Sequence, residues 1–384
     1  MKENVKIILF LEPNRGFSRG LLSGIARYSA RYGPWSFYRK PPDYIKTTIE
    51  DDLDELKGWE PDGIICSIKQ AQMLKTLEVP IVGYHGSNYA GAIPCIDTDD
   101  RTTGRLAAQH LLDQGHRNFA FCGFNNHLWS QQRCQGFSQT VQDAGGQIDI
   151  YQQMQDPPSW AKEELLLKQW IRSLPKPIGL FCANDDRAES IMQVCRALKL
   201  NIPEDISIIG ADDDTYICEL QNPPLSSIQM GAPQAGYQAA QLLHQMIQGT
   251  TSMQGQRITA QAISARARQS TDILMVTNKQ VRKALSYIRH NAHKPIQVSD
   301  VVDATSLSHR HLNDQFQAAL GCSILKQVTH SRIEHICDLL VNTSLRVHEI
   351  AHKVGYEDDR HFARYFKRAT GLTPQAYRNQ TSPL

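Results

Sequence analysis

The sequence has no Cys-x-x-Cys pair, although it contains nine cysteines. Each cysteine stands alone, often in an apolar context such as Phe-Ala-Phe-Cys122-Gly. Zinc sites and redox motifs need closely spaced thiolates, and disulfide frameworks usually have an even number of cysteines. The pattern therefore favours reduced thiols buried in hydrophobic cores, as in a cytoplasmic protein, over disulfide bonds or a metal centre.

The sequence also lacks a hydrophobic run long enough to cross a membrane, which takes roughly 20 apolar residues. The run near the start, Ile7–Leu11, is short and meets Glu12 and Pro13. It is not followed by the small-residue cleavage site of a signal peptide. We therefore expect a buried first β-strand here, in a cytoplasmic protein that has no membrane partner.

Patterns typical of catalysis and of cofactor binding are scarce. The sequence contains no Walker-type phosphate loop and no G-x-G-x-x-G fingerprint, and no acid/base pair stands at a recognisable spacing. The consecutive carboxylates Asp212–Asp214 cannot converge on one divalent ion. His309-x-His311 has no nearby cysteine or second histidine pair. We therefore expect no enzyme activity, no cofactor and no metal.

Charge is nearly balanced overall, at +2, but it is unevenly distributed along the chain. Residues 278–384 carry a net charge of +6, whereas residues 1–277 carry −4. A basic C-terminal segment on a mildly acidic body is a weak indication that this segment binds nucleic acid.

The first 265 residues alternate short apolar runs with amphipathic stretches. The apolar runs, rich in Ile, Val and Phe, are Lys6–Leu11, Gly63–Ser67, Pro80–Gly83, Asn118–Gly123, Ile178–Cys182 and Ile206–Gly210. This βαβα pattern predicts an α/β domain of doubly wound parallel sheets. Such sheets bind ligands at the carboxyl ends of their strands, so the residues after each run are candidates for ligand contact. We assign residues 1–265 to this domain and residues 266–277, where the pattern weakens, to a linker.

Residues 278–384 show helical periodicity and no strand pattern, which predicts an all-α domain with two helix-turn-helix units. The predicted helices are Val298–Ala304 and Ser308–Ala319 in the first unit, Val347–Val354 and Asp358–Thr370 in the second, and a linking helix, Ile324–Val341. The second helix of each unit can enter the major groove. A rigid linking helix could hold these two recognition helices about 34 Å apart, one DNA turn, on one face of the duplex.

The second unit carries a long fixed pattern. It reads Ile350-Ala351-x-x-Val354-Gly355-Tyr356-x-Asp358-x-x-x-Phe362-x-Arg364-x-Phe366-Lys367-Arg368-x-x-Gly371-x-Thr373-Pro374-x-x-Tyr377-Arg378. With it, the C-terminal hundred residues resemble the AraC/XylS-type DNA-binding domain, which implies operator or promoter DNA as a partner. The residues that we expect to contact DNA are Ser308, His309, Arg310, His311 and Asn313 in the first unit, and Asp358, Arg360, His361, Arg364 and Lys367 in the second. The first unit departs from the family at Ser306, usually Gly, at Asp314, usually basic, and at Ile336 in the linking helix, usually a small residue. Because Asp314 near phosphate would cost affinity, we expect this unit to bind DNA more weakly or differently.

Several motifs of the first domain follow one another in a fixed order. They are Ile96-Asp97-x-Asp99-x-x-x-Gly104, Arg133-x-x-Gly136-Phe137, Ala183-Asn184-Asp185-x-x-Ala188, Ile209-Gly210-x-Asp212-Asp213 and Pro224-Leu225-Ser226-Ser227-Ile228. With these motifs the domain resembles the LacI/GalR-type effector domain, a two-lobed relative of the periplasmic sugar-binding proteins. The resemblance implies that Arg133, Asp185 and Asp212 contact the ligand.

Sugar binding also fits the residue types. Sugars are bound by carboxylate and guanidinium groups at their hydroxyls and by an aromatic plate on their apolar face. The candidate plates are Trp129 and Phe17, and weaker strand-end candidates from the other lobe are Glu12, Asn14 and His85. The alternative role for Asp185 and Asp212 is that of a helix N-cap, which Asp fills well.

A LacI-like sensor usually follows its DNA-binding unit in the chain, whereas here it precedes one of the AraC type. This order resembles the family of bacterial xylose-operon regulators and implies D-xylose as the effector, although no residue singles out a pentose. The resemblance further implies a homodimer that helps RNA polymerase at a sugar-catabolism promoter. Three alternatives stay open: a regulator of this architecture that responds to another sugar, a sugar-binding transport protein with an accessory tail, and a sugar-processing enzyme with a regulatory tail.

Overall fold

The computed structural model describes residues 4–39, 49–84, 91–151, 159–250, 255–272 and 278–381. Within these residues the strands are β1 (Val5–Phe10), β2 (Trp35–Arg39), β3 (Gly63–Ser67), β4 (Ile81–Tyr84), β5 (Cys95–Thr98), β6 (Asn118–Cys122), β7 (Gln147–Ile150), β8 (Ile178–Cys182), β9 (Ile206–Asp212), β10 (Ser226–Met230), β11 (Arg257–Ala260) and β12 (Ala262–Arg266). The helices are α1 (Gly16–Tyr32), α2 (Ile49–Gly58), α3 (Ile68–Leu74), α4 (Asp100–Asp113), α5 (Leu128–Asp143), α6 (Trp160–Ser173), α7 (Asp185–Ala197), α8 (Thr215–Leu220), α9 (Ala232–Ile247), α10 (Lys279–His290), α11 (Val298–Asp303), α12 (His309–Leu320), α13 (Ile324–Asn342), α14 (Val347–Lys353), α15 (Asp359–Thr370) and α16 (Pro374–Thr381). None of the helices so described is long and apolar enough to span a membrane.

The chain divides into two compact units, each built around one sheet. The first unit is formed mainly by residues 1–99 and 231–261, and the second by residues 100–230 and 262–382. Among the described residues, the strand order is β11-β5-β4-β3-β1-β2 in the first sheet and β12-β10-β9-β8-β6-β7 in the second. The strands pair in parallel apart from β12, which runs antiparallel to β10. The predicted doubly wound parallel sheets are therefore confirmed.

The central strands β8 and β9 of the second sheet are continuous apolar runs because helices cover both faces of the sheet there. All five residues of β8 are buried, and so are the first six of β9. Side chains from the two faces of these strands enter two separate hydrophobic clusters, one packed on α7 and the other on α4 and α5. Seven of the nine cysteines are buried, which agrees with their predicted place in the cores.

Helices α10–α16 form two small hydrophobic cores, one for each predicted helix-turn-helix unit. Val301, Leu312 and Phe316 are buried in the first core, and Phe362 and Phe366 in the second. The long helix α13 contributes residues to both cores and links them.

The two predicted recognition helices are confirmed, with bounds that differ from the prediction by at most one residue, and their caps explain where they begin and end. Ser308 Oγ accepts a hydrogen bond from the His311 N–H at 3.4 Å, and α12 ends at Gly321 with φ +66°. In α15, Asp358 Oδ1 accepts from the Arg360 N–H at 2.7 Å, and the helix ends at Gly371 with φ +81°. Side-chain acceptors at the N-terminus and a left-handed glycine after the C-terminus are the local features that start and stop helices.

The segment predicted as a linker, residues 266–277, begins at the last residue of β12. It continues into a short 3₁₀ helix, Gln269–Thr271, in which Ser270 and Thr271 are fully buried. Ser270 Oγ donates to the Ile208 carbonyl at 2.6 Å. The described part of the segment therefore packs against the second sheet. Residues 273–277 lie outside the described residues, and the proposed domain boundaries stay a prediction.

Candidate functional site

Arg133, on α5, is the centre of a buried ion network in the second unit. Its Nε donates to Asp100 Oδ1 at 2.9 Å and its Nη1 to the Ala183 carbonyl at 2.6 Å. Nη1 and Nη2 both lie 3.2 Å from Asp212 Oδ1. Burial lowers the pKa of Arg133, but Asp212 and Asp100 outweigh this effect and raise it. The positive charge of one guanidinium thus compensates the negative charges of two carboxylates that are largely shielded from water together with it.

Close contact between α4 and α5 places Asp100 beside Arg133. A Cβ on Gly104 would lie 2.0 Å from the Arg133 carbonyl oxygen, and a Cβ on Gly136 would lie 2.0 Å from the Arg101 carbonyl oxygen. Only glycine at both positions lets the two helix backbones meet without displacement. The packing of α4 on α5 therefore explains why glycine stands at positions 104 and 136 of the sequence motifs.

Asp212 ends β9 and is the partly accessible carboxylate of the network. Its side chain is 18% exposed, compared with 4% for Arg133 and 0% for Asp100. Burial raises the pKa of Asp212 to about 6, with Arg133 acting in the opposite direction. Asp212 and Asp213 have φ values of +106° and +50°, a conformation that non-glycine residues rarely adopt and that clusters at ligand sites.

Trp129, predicted as an aromatic plate, lies next to this network. The guanidinium carbon of Arg133 is 5.0 Å from the centroid of the Trp129 ring. The centroids of the Phe124 and Trp129 rings are 5.7 Å apart. The indole is half-buried. An aromatic face beside a buried arginine and a partly exposed carboxylate provides the groups that a sugar needs.

Asp185 lies deeper than Asp212 and is bonded to groups of the protein. Its side chain accepts from Ser227 Oγ at 2.6 Å, from the Asp214 N–H at 2.8 Å and from Cys218 Sγ at 3.6 Å. The residue is 1% exposed, and burial raises the pKa of its carboxyl well above the usual value. It packs so closely on β9 that a Cβ on Gly210 would lie 2.2 Å from Asp185 Oδ1.

The alternative role that the sequence suggested for these two aspartates, helix capping, is wrong. Asn184 caps α7 through a hydrogen bond from the Arg187 N–H to Asn184 Oδ1, at 3.0 Å. Asp214 caps α8, where its Oδ1 accepts from the Tyr216 N–H at 3.2 Å. Ligand contact by Asp185 and Asp212 stays a prediction.

The candidates in the first unit lie around the loop between β1 and α1. Phe17 is buried in the core of that unit, whereas Glu12 and Asn14 are exposed. Glu12 Oε2 is 2.8 Å from Arg15 Nε. His85 lies outside the described residues. The structure therefore brings Arg133, Asp185, Asp212 and Trp129 together in the second unit, and the first-unit candidates stay predictions.

Two residues of this region were not among the predicted site residues, Asp100 and Asp213. Asp213 is buried between two arginines, with its Oδ2 2.8 Å from Arg266 Nη1 and its Oδ1 2.8 Å from Arg268 Nη2. Burial raises the pKa of Asp213, while Arg266 and Arg268 act to lower it. A sequence clue to this cluster is the alternation in Ala265-Arg266-Ala267-Arg268, which is typical of a strand face.

One pattern associated with catalysis occurs in the chain, G-x-S-x-G at Gly16–Gly20. In hydrolases the serine of this pattern stands at a strained turn between a strand and a helix, with an exposed hydroxyl. Ser18 is instead the third residue of α1 and is 1% exposed. Its position does not provide the geometry of a nucleophile.

The predicted DNA contacts are mostly exposed on two recognition helices. His309, Arg310 and His311 are exposed in the first turn of α12, and α15 exposes Arg360, His361, Arg364 and Lys367. Ser308 and Asp358 are the N-caps of these helices, and the Arg360 N–H lowers the pKa of Asp358. Asn313 has a structural bond, because its Oδ1 accepts from the Ile324 N–H at 3.3 Å and joins α12 to α13.

The first unit tolerates its unusual turn residue through a side-chain bond. Ser306 Oγ accepts from Gln280 Nε2 at 2.6 Å, and Gln280 Oε1 accepts from the Ser306 N–H at 3.3 Å. Ser306 does not have a positive φ, so glycine is not required here. Asp314, another departure, is exposed on α12.

Comparisons with known proteins agree with this architecture. The model of a family described as "Periplasmic binding protein-like domain" matches residues 108–271, and that of a "Helix-turn-helix domain" matches residues 301–380. The chain is 31% identical to the xylose operon regulatory protein of Escherichia coli (strain K12), over 99% of this chain and 98% of that protein. The chain belongs to the family of xylose operon regulatory proteins.

Further relatives in this family match over similar lengths. The xylose operon regulatory protein of Haemophilus influenzae is 29% identical, over 97% of this chain and 98% of that protein. A solved structure described as the xylose-binding transcription activator xylR has 29% identity, a TM-score of 0.61 and 99% coverage of both chains. Membership confirms the predicted class, a transcription regulator with a periplasmic-binding-protein-like sensor followed by a helix-turn-helix DNA-binding domain.

Proposed function

We propose that this regulator binds D-xylose in its sensor domain and, in response, activates transcription of xylose-catabolism genes. It acts as a homodimer in the cytoplasm, where its DNA-bound form helps RNA polymerase at the promoter. The sugar is bound and released without conversion. The names of the full-length relatives support D-xylose as the effector and DNA as the target.

The observation that carries the sugar site is the partly exposed Asp212 held by the buried Arg133. Both guanidinium contacts are made to Asp212 Oδ1, so we expect Oδ2 to accept hydrogen bonds from sugar hydroxyls. The Arg133 side chain is fixed by Asp100 and by the Ala183 carbonyl, which pre-organises the site. Trp129 supplies the apolar face against which a pyranose ring can stack.

The DNA half of the proposal rests on the exposed basic residues of α12 and α15. Arg310 and Arg360 lie in the first turns of the two recognition helices, where side chains can reach base edges or phosphates. The net charge of +6 on residues 278–384 favours a polyanionic partner.

The sensor is tested by calorimetric titration of the full-length protein with D-xylose, L-arabinose, D-ribose and D-glucose. We expect D-xylose to bind most tightly and to be recovered unchanged by chromatography. Asp212→Asn weakens binding at least about tenfold, since a charge-assisted bond becomes a neutral one. The matched control Asp143→Asn, on the exposed end of α5, leaves it unchanged.

Two results would contradict this proposal. Absence of D-xylose binding to the wild-type protein would exclude the assigned effector, and conversion of the sugar would indicate an enzyme. Retention of the protein on operator DNA separates a regulator from a transport protein, which binds sugar but has no reason to bind DNA.

A further inference from the structure

The DNA-binding domain lies against the sensor within the second unit, and the contacts between them are polar. His330 on α13 places its Nε2 2.6 Å from Asp113 Oδ2 on α4. Tyr377 on α16 donates from its hydroxyl to the Ile263 carbonyl of β12 at 3.4 Å. Arg266 Nη2, at the end of β12, lies 3.8 Å from Asp338 Oδ1 on α13.

Hydrophobic packing does not cross this contact in the part of the chain that the structure describes. The sensor clusters of the second unit include residues up to Ala265, and those of the DNA-binding domain begin at Val281. Between the two surfaces is a cavity of about 600 Å³, lined among others by His110, Asp113 and Asp338. Polar, incompletely packed contacts between domains are typical of interfaces that open and close.

One of these contacts connects directly to the candidate sugar site. Asp212 is followed by Asp213, whose buried carboxylate binds Arg266 and Arg268. Arg266 uses Nη1 for Asp213 and Nη2 for Asp338 on α13. A single guanidinium therefore spans from the residue next to the sugar-binding carboxylate to the helix that links the two recognition units.

The backbone between Asp212 and Asp213 is suited to transmit a displacement. Both residues have positive φ, and the Asp213 N–H donates to Ser227 Oγ at 3.0 Å. Such conformations persist only when the surrounding structure over-determines them, so we expect Asp212 and Asp213 to move together. We expect a sugar bound at Asp212 to shift Asp213 and, with it, the guanidinium of Arg266.

We propose that Asp213, Arg266 and Asp338 form the link through which sugar binding at Asp212 changes the docking of α13, and hence the affinity for operator DNA. Asp213, Arg266 and Asp338 act as positioning residues and do not touch the sugar. This inference rests on the proposed function, since it requires a sugar that binds at Asp212. It adds the route by which that binding reaches the DNA-binding domain.

The test measures a coupling factor, defined as the ratio of the operator Kd without D-xylose to that with saturating D-xylose. By linkage the same factor relates the sugar Kd of free and DNA-bound protein, so each value is measured twice. The variants of the full-length protein are Asp338→Asn, Arg266→Gln, the double variant, and Asp338→Glu as the charge-conserving replacement. Asp303→Asn is the matched control, because Asp303 is an exposed carboxylate at the end of α11.

We expect Asp338→Asn to reduce the coupling factor at least about threefold, while the sugar Kd of the DNA-free protein stays within about twofold of the wild-type value. Asp338→Glu restores most of the coupling factor, and Asp303→Asn leaves it unchanged. The double variant has a coupling factor no lower than that of Arg266→Gln alone, because Arg266 and Asp338 act in the same series of contacts. A wild-type coupling factor in Asp338→Asn would overturn the inference and leave the proposed function standing. If D-xylose changed operator affinity in none of the proteins, wild type included, the proposed function would fail as well.

Discussion

Arg133 and Asp212 form a partly buried ion pair in which both terminal nitrogens of the guanidinium lie 3.2 Å from the same carboxylate oxygen. The third nitrogen of Arg133 is bonded to Asp100 at 2.9 Å. The guanidinium therefore compensates two carboxylates at once, so the groups that are proposed to bind sugar also stabilise the second unit. Removal of any one of these three side chains leaves a charge without its opposite charge in a region that contains little water.

Replacement of Arg133 by alanine therefore destabilises the protein as well as removing a ligand contact. We expect the free energy of unfolding to fall by about 3–5 kcal/mol, the usual cost of breaking a buried pair on one side. Urea unfolding followed by tryptophan fluorescence measures it. Arg101→Ala, an exposed arginine on α4, is the control and changes stability by less than about 0.5 kcal/mol. A loss below about 1 kcal/mol for Arg133→Ala would show that the network contributes little to stability.

Sugar affinity is expected to depend on pH through Asp212. Burial raises its pKa to about 6, so the carboxylate is largely protonated at pH 5 and ionised at pH 7.5. If only the carboxylate accepts from the sugar hydroxyls, D-xylose binds about tenfold more weakly at pH 5 than at pH 7.5. Calorimetric titrations at several pH values between these limits locate the midpoint.

The matched variant for this experiment is Asp212→Asn, which keeps an acceptor at the same place but does not titrate. Its weaker binding is independent of pH over the same range. Equal D-xylose affinity of the wild-type protein at pH 5 and at pH 7.5 would remove Asp212 from the set of sugar acceptors.

Local features of the helices were predictable from the sequence, because they depend on neighbouring residues. Ser308 and Asp358 start the recognition helices, and Gly321 and Gly371 end them, as the residue types indicate. The buried runs of the second sheet were equally clear, since strands covered on both faces must be apolar.

The ion network was less accessible to sequence analysis, because its partners are far apart in the chain. Asp100 and Asp212 lie 33 and 79 residues from Arg133. Arg266, the last residue of β12, and Arg268 alternate with alanine, but two charged residues in this pattern do not distinguish the end of a strand from a linker. Their partner Asp213 is recognisable only once β9 and β12 are folded into one sheet.

Docking of the DNA-binding domain on the sensor is expected to weaken in alkaline solution. Burial and the charge of Lys326 lower the pKa of His330. The hydrogen bond to Asp113 and the negative charges of Glu334 and Asp113 have the larger, opposite effect, so the pKa rises to about 9. Because this folded-state pKa exceeds the ordinary histidine pKa of 6.5, protonated His330 stabilises the folded protein fully below pH 6.5. This stabilisation is lost as the pH rises through 9. The Tm difference between wild type and His330→Gln is therefore largest at pH 6 and vanishes by pH 10.

Scanning calorimetry from pH 6 to pH 10 checks this expectation. His348→Gln, an exposed histidine on α14, serves as the control and shows no such difference. A Tm difference for His330→Gln that does not change with pH would mean that the His330 contact is not an ion pair.

We predict that the second recognition helix binds DNA through Arg360 and Arg364. Both residues are exposed on α15 and lie one turn apart, with Arg364 Nε 3.4 Å from the Arg360 carbonyl. Each alanine substitution is expected to weaken operator binding about tenfold or more. A lost phosphate contact also reduces the slope of log K against log salt by about 1, whereas a lost base contact relaxes sequence preference. Arg172→Ala on α6 is the control, and unchanged affinity and salt slope in both variants would remove α15 from the interface.

Control of DNA binding by a sugar bound to the sensor can be measured by fluorescence anisotropy. The full-length protein is titrated into a labelled promoter fragment of a xylose operon, with and without D-xylose, and with other pentoses and with hexoses. We expect D-xylose to tighten operator binding by at least about fivefold and the other sugars to have no such effect. Operator affinity that is the same with every sugar and without sugar would contradict this expectation.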